Sequence, residues 1–346
     1  MIVVSGEALM DVFPVGDTAT GVMLDARFGG SPLNVAIGLA RLAQPVAFFG
    51  ALSSGFLGQR LAAALAAEGV DPCCTVRVDA PTTLSLVGLD AHGVPGYAFY
   101  GDGAADRQLP AAALAQVPRA AAYQFGSYAM VVEPVAGVQR ALVEREHQRS
   151  VIAYDPNIRL KVEPDLQRWR DTLTWMLPRT TLLKLSDEDL GLLYPGQAAA
   201  ALAAQWLAAG VALVVVTRGG AGAWAWTATQ QLSVAPVPVD VVDTVGAGDT
   251  FQAALLTALA ERGLEGVAGA HRVDHVHRHR RHAELLRRRP GPGAGAAAGH
   301  HHQRDAGRQP LRGRAGRGTA GRGLRRSASA AWCAAASRSR CRAPRC

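Results

Sequence analysis

Short apolar segments alternate with amphipathic helical segments through residues 1–261, and this alternation restricts the possible folds more than any other feature of the chain. Short apolar strands separated by helices are typical of a mostly parallel sheet with both faces covered. We therefore expect an α/β fold with a mostly parallel central sheet flanked by helices. The predicted strands are 2–5, 46–50, 122–125, 151–154, 181–184 and 211–217, and the predicted helices are 33–42, 57–67, 135–146, 165–176, 198–209 and 250–261.

Residues 82–109 break this alternation, because they contain strand-like segments and turn residues without a helix between them. Asp90-Ala91-His92-Gly93 has the composition of a hairpin turn. A hairpin inserted into an α/β domain is a candidate lid over a binding site. The alternative is an ordinary hairpin on the surface, which the pattern alone does not exclude.

The charge of the chain is divided unevenly along its length. Residues 1–270 hold 17 Lys and Arg against 25 Asp and Glu, whereas residues 271–346 hold 19 Arg, no Lys and 3 acidic residues. The second part has no helical or strand periodicity and cannot supply a hydrophobic core. We expect one α/β domain over 1–270, followed by an Arg/Gly/Ala-rich tail that is disordered or encoded out of frame.

Three interpretations of the tail remain open. It could be a disordered arm that binds nucleic acid, or a metal-binding tract around His300-His301-His302. We favour the third, a shifted reading frame, because GC-rich DNA read out of register gives this mixture of Arg, Pro, Gly, Ala and His. A nucleic-acid partner is therefore not expected.

The apolar segments are too short to cross a bilayer, and the first residues enter a predicted strand without a leader-like segment. We accordingly expect a cytoplasmic protein without a membrane partner.

The segment that carries most chemical information is Val242-Asp243-Thr244-Val245-Gly246-Ala247-Gly248-Asp249, which opens a predicted helix. Gly246 and Gly248 allow successive backbone N–H groups to point at one spot, and the start of a helix favours an anion there. Asp249 could accept the proton of an attacking hydroxyl while the amides of Gly246, Ala247 and Gly248 hold the charge of a phosphoryl group. The alternative is a glycine-rich turn with Asp249 as a helix cap. The chain has no Walker-type phosphate loop.

Gly-Ala-Gly-Asp in this setting resembles the second signature of the ribokinase, or PfkB-type, carbohydrate kinases. Phe28-Gly29-Gly30-Ser31-Pro32-Leu33-Asn34-Val35-Ala36 resembles the first signature of that family. The two signatures occur in the expected order, and the resemblance extends over residues 1–268. It implies a ribokinase-like α/β fold with a small β lid. Without the family, a helix cap is the alternative role for Asn34.

The resemblance also assigns binding roles to other positions. For a sugar it implies Asp11, Gly29, Gly30, Asn34, Arg159 and Asp249, and the lid side chains Tyr97 and Phe99 could cover a sugar ring or merely pack the hairpin. For ATP it implies Lys184, Ser186, Thr217, Gly219, Gly220, Gly222, Gly246 and Gly248. For metals it implies Asp189, which would organise Mg²⁺ through water, and Asp243 and Val245, which would help to bind a monovalent cation such as K⁺. From the residues alone, Arg159 could form a surface salt bridge, and the glycines at 219–222 could form a plain turn.

Gly6-Glu7-Ala8-Leu9-Met10-Asp11 and Gly-Gly-Ser-Pro-Leu-Asn-Val-Ala look most similar to fructokinases. The resemblance implies transfer of phosphate from ATP to the primary hydroxyl of fructose, which gives fructose 6-phosphate. Kinases of 2-keto-3-deoxygluconate, ribose or nucleosides share these motifs and remain alternatives. So does a catalytically impaired sugar or nucleotide binder, since the tail replaces the end of the family's domain. Relatives often form homodimers through the lid.

Overall fold

The central sheet of the computed structural model is built from six parallel strands and an antiparallel hairpin at one edge. The structure describes residues 1–89, 95–236 and 244–263. The strands of this sheet are β1 (Ile2–Ser5), β4 (Val46–Phe49), β9 (Ala122–Gly126), β10 (Val151–Asp155), β11 (Leu182–Ser186), β12 (Leu213–Thr217), β13 (Ala223–Trp226) and β14 (Gln231–Val234). Their order across the sheet is β14-β13-β12-β11-β10-β9-β1-β4, and only the pairs β12–β13 and β13–β14 are antiparallel.

Helices cover both faces of this sheet, as the alternation of the sequence predicted. The α-helices are α1 (Ser31–Arg41), α2 (Phe56–Ala67), α3 (Val135–Glu146), α4 (Leu166–Met176), α5 (Asp187–Leu193), α6 (Ala199–Ala209) and α7 (Ala247–Glu261). The side chains of a strand alternate between its faces, so Val3 packs into one hydrophobic core while its neighbours Ile2 and Val4 pack into another. The first core includes apolar residues of α3 to α6, and the second includes those of α1, α2 and α7.

A second, four-stranded sheet has the order β3-β2-β7-β8. Its strands are β2 (Leu9–Thr18), β3 (Gly21–Gly29), β7 (Leu84–Leu89) and β8 (Pro95–Tyr100), and a small separate sheet pairs β5 (Ala51–Ser53) with β6 (Val76–Val78). The predicted lid at 82–109 was therefore incomplete, because half of the sheet comes from residues 9–29. Pro14 and Gly16 weaken the strand pattern there, and the register of β2 against β3 shifts between them.

Residues 101–109 do not extend the second sheet; a short 3₁₀ turn, Ala105–Arg107, lies there instead. The predicted turn at Asp90–Gly93 and the tail 271–346 lie outside the described residues. The division into a domain at 1–270 and a tail therefore stays a prediction. Among the residues that the structure describes, no helix is both long and apolar enough to cross a membrane.

Helices α1 and α7 pack so closely that a Cβ at Gly38 would lie 2.8 Å from the Cβ of Ala253. This distance is shorter than ordinary van der Waals contact, so glycine at position 38 is what allows the two helices to approach. The close packing matters for the site, because both helices begin at the same edge of the sheet and their first turns meet.

Candidate active site

Asp249 lies in the first turn of α7, with its side chain directed into the protein. The helix begins at Ala247, three residues before the predicted start, and Gly246 precedes it with φ of 74°, a left-handed conformation that favours glycine. The side chain of Asp249 is buried, with the residue 6% exposed. A carboxylate therefore stands beside the free N–H groups of a helix N-terminus, where negative charge is favoured.

Two side chains of α1 bind the two oxygens of this carboxylate. Ser31 Oγ donates to Oδ1 at 2.7 Å, and Asn34 Nδ2 donates to Oδ2 at 2.9 Å. Burial raises the pKa of Asp249, and the hydrogen bonds from Ser31 and Asn34 oppose that rise. The two donors thus orient the carboxylate and favour its ionised form, as a proton acceptor requires.

A buried ion pair lies next to the start of α7. Lys184 Nζ on β11 is 2.7 Å from Asp155 Oδ2 at the end of β10, and these side chains are 2% and 4% exposed. Nζ also lies 3.3 Å from the point that a Cβ at Gly248 would occupy, so the ammonium faces the glycine turn. Burial alone would lower the pKa of Lys184, but Asp155, Asp249 and Asp189 outweigh it and the pKa is raised. A permanent positive charge therefore adjoins the helix start.

Asp11 lies within electrostatic reach of both Arg159 and Asp249. A Cβ at Gly29 would overlap the Asp11 carboxylate, so glycine is required there, and Gly30 has φ of 105°. Burial raises the pKa of Asp11, Arg159 opposes the rise, and Asp249 adds to it. The structure thus brings the predicted sugar-binding groups Asp11, Gly29, Gly30, Asn34 and Arg159 to one place around Asp249.

Ser186 and Asp189 lie at the start of α5 and bind each other. Ser186 Oγ accepts from the Asp189 backbone N–H at 3.0 Å and donates to Asp189 Oδ2 at 2.9 Å, while Oδ1 of Asp189 accepts from the backbone N–H of Ile158. These contacts form a helix cap. Burial raises the pKa of Asp189, and Asp155 adds to the rise. Both oxygens already accept hydrogen bonds, and the predicted Mg²⁺ role of Asp189 stays a prediction.

The predicted nucleotide turn follows β12 at the same edge of the sheet. Thr217 is paired with Ser186 in adjacent strands, and Gly219 and Gly220 are exposed with open space around them. Gly222 has φ of 85°, and a Cβ there would overlap the carbonyl oxygen of Val234. Glycine at 222 closes the turn, while the amides of the two preceding glycines stay accessible to a ligand.

The structure does not bring every predicted residue to the site. Phe99 packs against the first hydrophobic core, and the side chain of Tyr97 and all of Asp243 lie outside the described part. Val245 is 69% exposed. Roles for these residues in binding the sugar or a monovalent cation stay predictions.

Sequence reasoning missed two contributors, Ser31 and Asp155. Ser31 stands inside the first signature, and Asp155 directly follows the predicted strand 151–154, so their positions in the sequence were available. What the motifs did not reveal was that Ser31 would reach a residue 218 positions away. Nor did they reveal that the carboxylate of Asp155 would form an ion pair with Lys184.

Comparisons with known proteins identify fructokinases among the chains that this one resembles. A fructokinase of Rhizobium leguminosarum bv. trifolii is 37% identical over 263 residues, which cover 75% of this chain and 79% of the relative. The crystal structure of a Xylella fastidiosa fructokinase with bound ATP superposes with a TM-score of 0.68 at 26% identity, covering 80% of this chain and 87% of that one. A Vibrio cholerae fructokinase, solved with fructose, ADP and calcium bound, gives a TM-score of 0.65 at 28% identity, covering 78% and 88%.

The fold, the carboxylate at a glycine-rich helix start and these likenesses together define a sugar kinase with a ribokinase-like fold. Residues 1–295 match the family described as "pfkB family carbohydrate kinase". The chain therefore belongs to the pfkB family of carbohydrate kinases. That match extends beyond residue 268, where the resemblance recognised in the sequence ended.

Proposed function

We propose that this carbohydrate kinase transfers the terminal phosphoryl group of ATP to the primary hydroxyl of fructose, with Asp249 as the base. The observation that carries the proposal is the buried Asp249 carboxylate, held by Ser31 and Asn34 beside the N–H groups that open α7. Phosphoryl transfer needs a proton acceptor for the attacking hydroxyl and donors for the charged oxygens, and this arrangement offers both.

The site residues have different roles in the proposed reaction, according to their positions. Asp11, the backbone at Gly30, Asn34 and Arg159 orient the sugar hydroxyls so that one primary hydroxyl faces Asp249. As that hydroxyl attacks the terminal phosphorus of ATP, its proton passes to the Asp249 carboxylate, the bond from that phosphorus to the bridging oxygen breaks, and ADP leaves. The amides of Gly246, Ala247 and Gly248 then stabilise the negative charge on the transferred group, because a fixed donor in a buried site acts without reorganisation.

Lys184 places a positive charge beside the proposed position of the phosphates, at the same helix start. In phosphoryl transfer this task often falls to a phosphate-loop lysine, which the sequence lacks. Asp155 keeps the ammonium in place and charged. The accessible amides of Gly219 and Gly220 are suited to the remainder of the nucleotide.

Mg²⁺ suits this site because it is usually held by one or two carboxylates together with the substrate phosphates. Within the described ranges no three His, Cys, Asp or Glu side chains are placed to hold a metal by themselves. Asp189 is the candidate carboxylate, and the ion would neutralise phosphate charge. The family resemblance of the sequence also implies a monovalent cation such as K⁺, with Asp243 and Val245 as the candidate residues.

We propose fructose rather than another sugar because the relatives named above are fructokinases, and one of them was solved with fructose and ADP. The test is a coupled ATP-consumption assay with Mg²⁺ across fructose, 2-keto-3-deoxygluconate, ribose and nucleosides, with Asp249→Asn as the inactive control. The highest kcat/KM is expected with fructose. A higher kcat/KM with another sugar would show that the proposed substrate is wrong. The absence of turnover with every sugar would show that the chain binds a sugar or nucleotide without catalysing transfer.

We also propose a homodimer formed through the lid sheet. In β3 the consecutive residues Val22, Met23 and Leu24 are 59%, 50% and 54% exposed. Consecutive strand residues point to opposite faces, so large apolar side chains are exposed on both faces of this end of the hairpin, which suits a surface covered by a second copy. Light scattering after size-exclusion chromatography should give a dimer mass, and Met23→Glu with Leu24→Glu should give a monomer. A wild-type monomer would contradict the proposal.

A cytoplasmic location completes the proposal, because the reaction consumes ATP. Cell fractionation with antibody detection tests it, and recovery outside the cytoplasmic fraction would contradict it.

A further inference from the structure

We propose that Ser31 is a positioning residue for the transfer reaction: its hydroxyl fixes Oδ1 of Asp249 and leaves Oδ2 as the atom that takes the proton. This inference rests on the proposed function of Asp249. It adds a role for a residue that neither the motif resemblance nor helix capping assigns.

The contact is specific and comes from a rigid element. Ser31 is the first residue of α1, and its Oγ donates to Asp249 Oδ1 at 2.7 Å. Gly38, two turns further along α1, allows the close packing on α7 that keeps this contact in register. The serine is not used as the helix cap, because Gly30 holds that position and no side chain caps α1.

The two carboxylate oxygens differ in their surroundings. Asn34 donates to Oδ2, and the point that a Cβ at Gly246 would occupy is 4.0 Å from Oδ2 and 3.8 Å from Asn34 Nδ2. Oδ2 thus faces the glycine turn where the phosphoryl group is proposed to lie, whereas Oδ1 is the oxygen held by Ser31. A carboxylate oxygen can accept more than one hydrogen bond, so Oδ2 can also accept from the attacking hydroxyl.

The electrostatic role follows from burial. Burial raises the pKa of Asp249, and the Ser31 hydrogen bond opposes the rise because it stabilises the charged form. The hydrogen bond of Asn34 and the charge of Lys184 also oppose the rise, whereas the charge of Asp155 adds to it. Removal of the Ser31 donor raises the pKa further. A smaller fraction of the enzyme then has an ionised base, and the low-pH limb of the kcat profile shifts to higher pH.

The experiment compares wild-type enzyme with Ser31→Ala and Ser31→Thr, using kcat and KM for fructose from pH 5 to pH 9. We expect Ser31→Ala to lower kcat on the low-pH limb by about tenfold or more, because a hydrogen bond to a charged group is among the stronger ones. Its low-pH limb should move to higher pH, with KM little changed. Ser31→Thr keeps the hydroxyl and should restore both kcat and the position of the limb.

Ser54→Ala is the matched control, because Ser54 also faces an aspartate, Asp79, but at an exposed place 3.5 Å away. It should leave the profile unchanged. A Ser31→Ala enzyme whose pH limb stays in place, whether or not its melting temperature falls, would overturn the proposal and leave Ser31 a structural role.

The Asp249→Asn enzyme separates this result from failure of the proposed function. If that variant is inactive while the limb of Ser31→Ala does not move, only the role of Ser31 is lost. If Asp249→Asn keeps its turnover, the base assignment itself is wrong.

Discussion

Glu7→Gln should change the pH dependence of stability more than any other single substitution that we propose. Glu7 follows β1, the second strand from one edge of the central sheet, and is 1% exposed. Burial raises the pKa of its carboxyl from an ordinary value of 4.5 to about 8; the hydrogen bond of Ser127 and the charge of Arg159 oppose the rise, and Asp106 adds to it. Folded Glu7 is therefore mostly protonated at neutral pH, whereas an unfolded glutamate is ionised.

The sign of the effect follows from proton binding. Between pH 4.5 and about 8 the folded state holds a proton that the unfolded state has released, so stability falls as pH rises. Each pH unit in this window costs about 1.4 kcal/mol, which gives a total of about 5 kcal/mol across the window. Glutamine has nearly the same shape and no charge to bury, so Glu7→Gln should remove this loss.

The assay is urea unfolding of the wild type and Glu7→Gln from pH 5 to pH 8. The free energy of unfolding of the variant minus that of the wild type should increase by about 1.4 kcal/mol per pH unit. Taking the difference cancels the contributions of other buried carboxyls. Glu188→Gln, at an exposed position, is the control and should parallel the wild type. A difference between wild type and Glu7→Gln that does not vary with pH would refute the reasoning.

Two further substitutions test the packing and charge around Asp249. Lys184→Met leaves Asp155 buried without its partner, so the variant should lose roughly 3–5 kcal/mol of stability in urea unfolding and show a higher KM for ATP. Adding Asp155→Leu removes the unpaired charge, so the double variant should recover stability but not ATP affinity. If the double variant recovered both stability and ATP affinity, the positive charge of Lys184 would have no role in binding phosphate. Gly38→Ala introduces a Cβ 2.8 Å from that of Ala253 and should lower kcat by separating α1 from α7, and Ala253→Gly in the same chain should restore it. If the double variant stays as slow as Gly38→Ala, close helix packing is not what positions Asn34.

The buried part of the fold was predictable because burial leaves a clear pattern in the sequence. The helix at 135–146 was predicted with the bounds that the structure gives, and each predicted strand of the central sheet overlaps an observed one. Strands β2 and β3 were missed because much of each strand is exposed, so polar and apolar residues do not alternate with a two-residue period.

For the site, sequence reasoning could identify groups but not all of their partners. Asp249, Asn34 and Asp11 were found because their motifs have a recognisable composition. The pairing of Ser31 with Asp249 and of Asp155 with Lys184 depends on how α1 packs on α7 and how β10 lies beside β11. Such contacts arise from tertiary packing, which local patterns do not encode.

Asp249→Asn gives the most direct test of the central claim. The amide keeps the shape of the side chain but cannot accept the proton of the sugar hydroxyl, so calorimetry should show near wild-type binding of fructose, while kcat should fall by about 10²–10⁴-fold. Near-normal turnover in this variant would contradict the account.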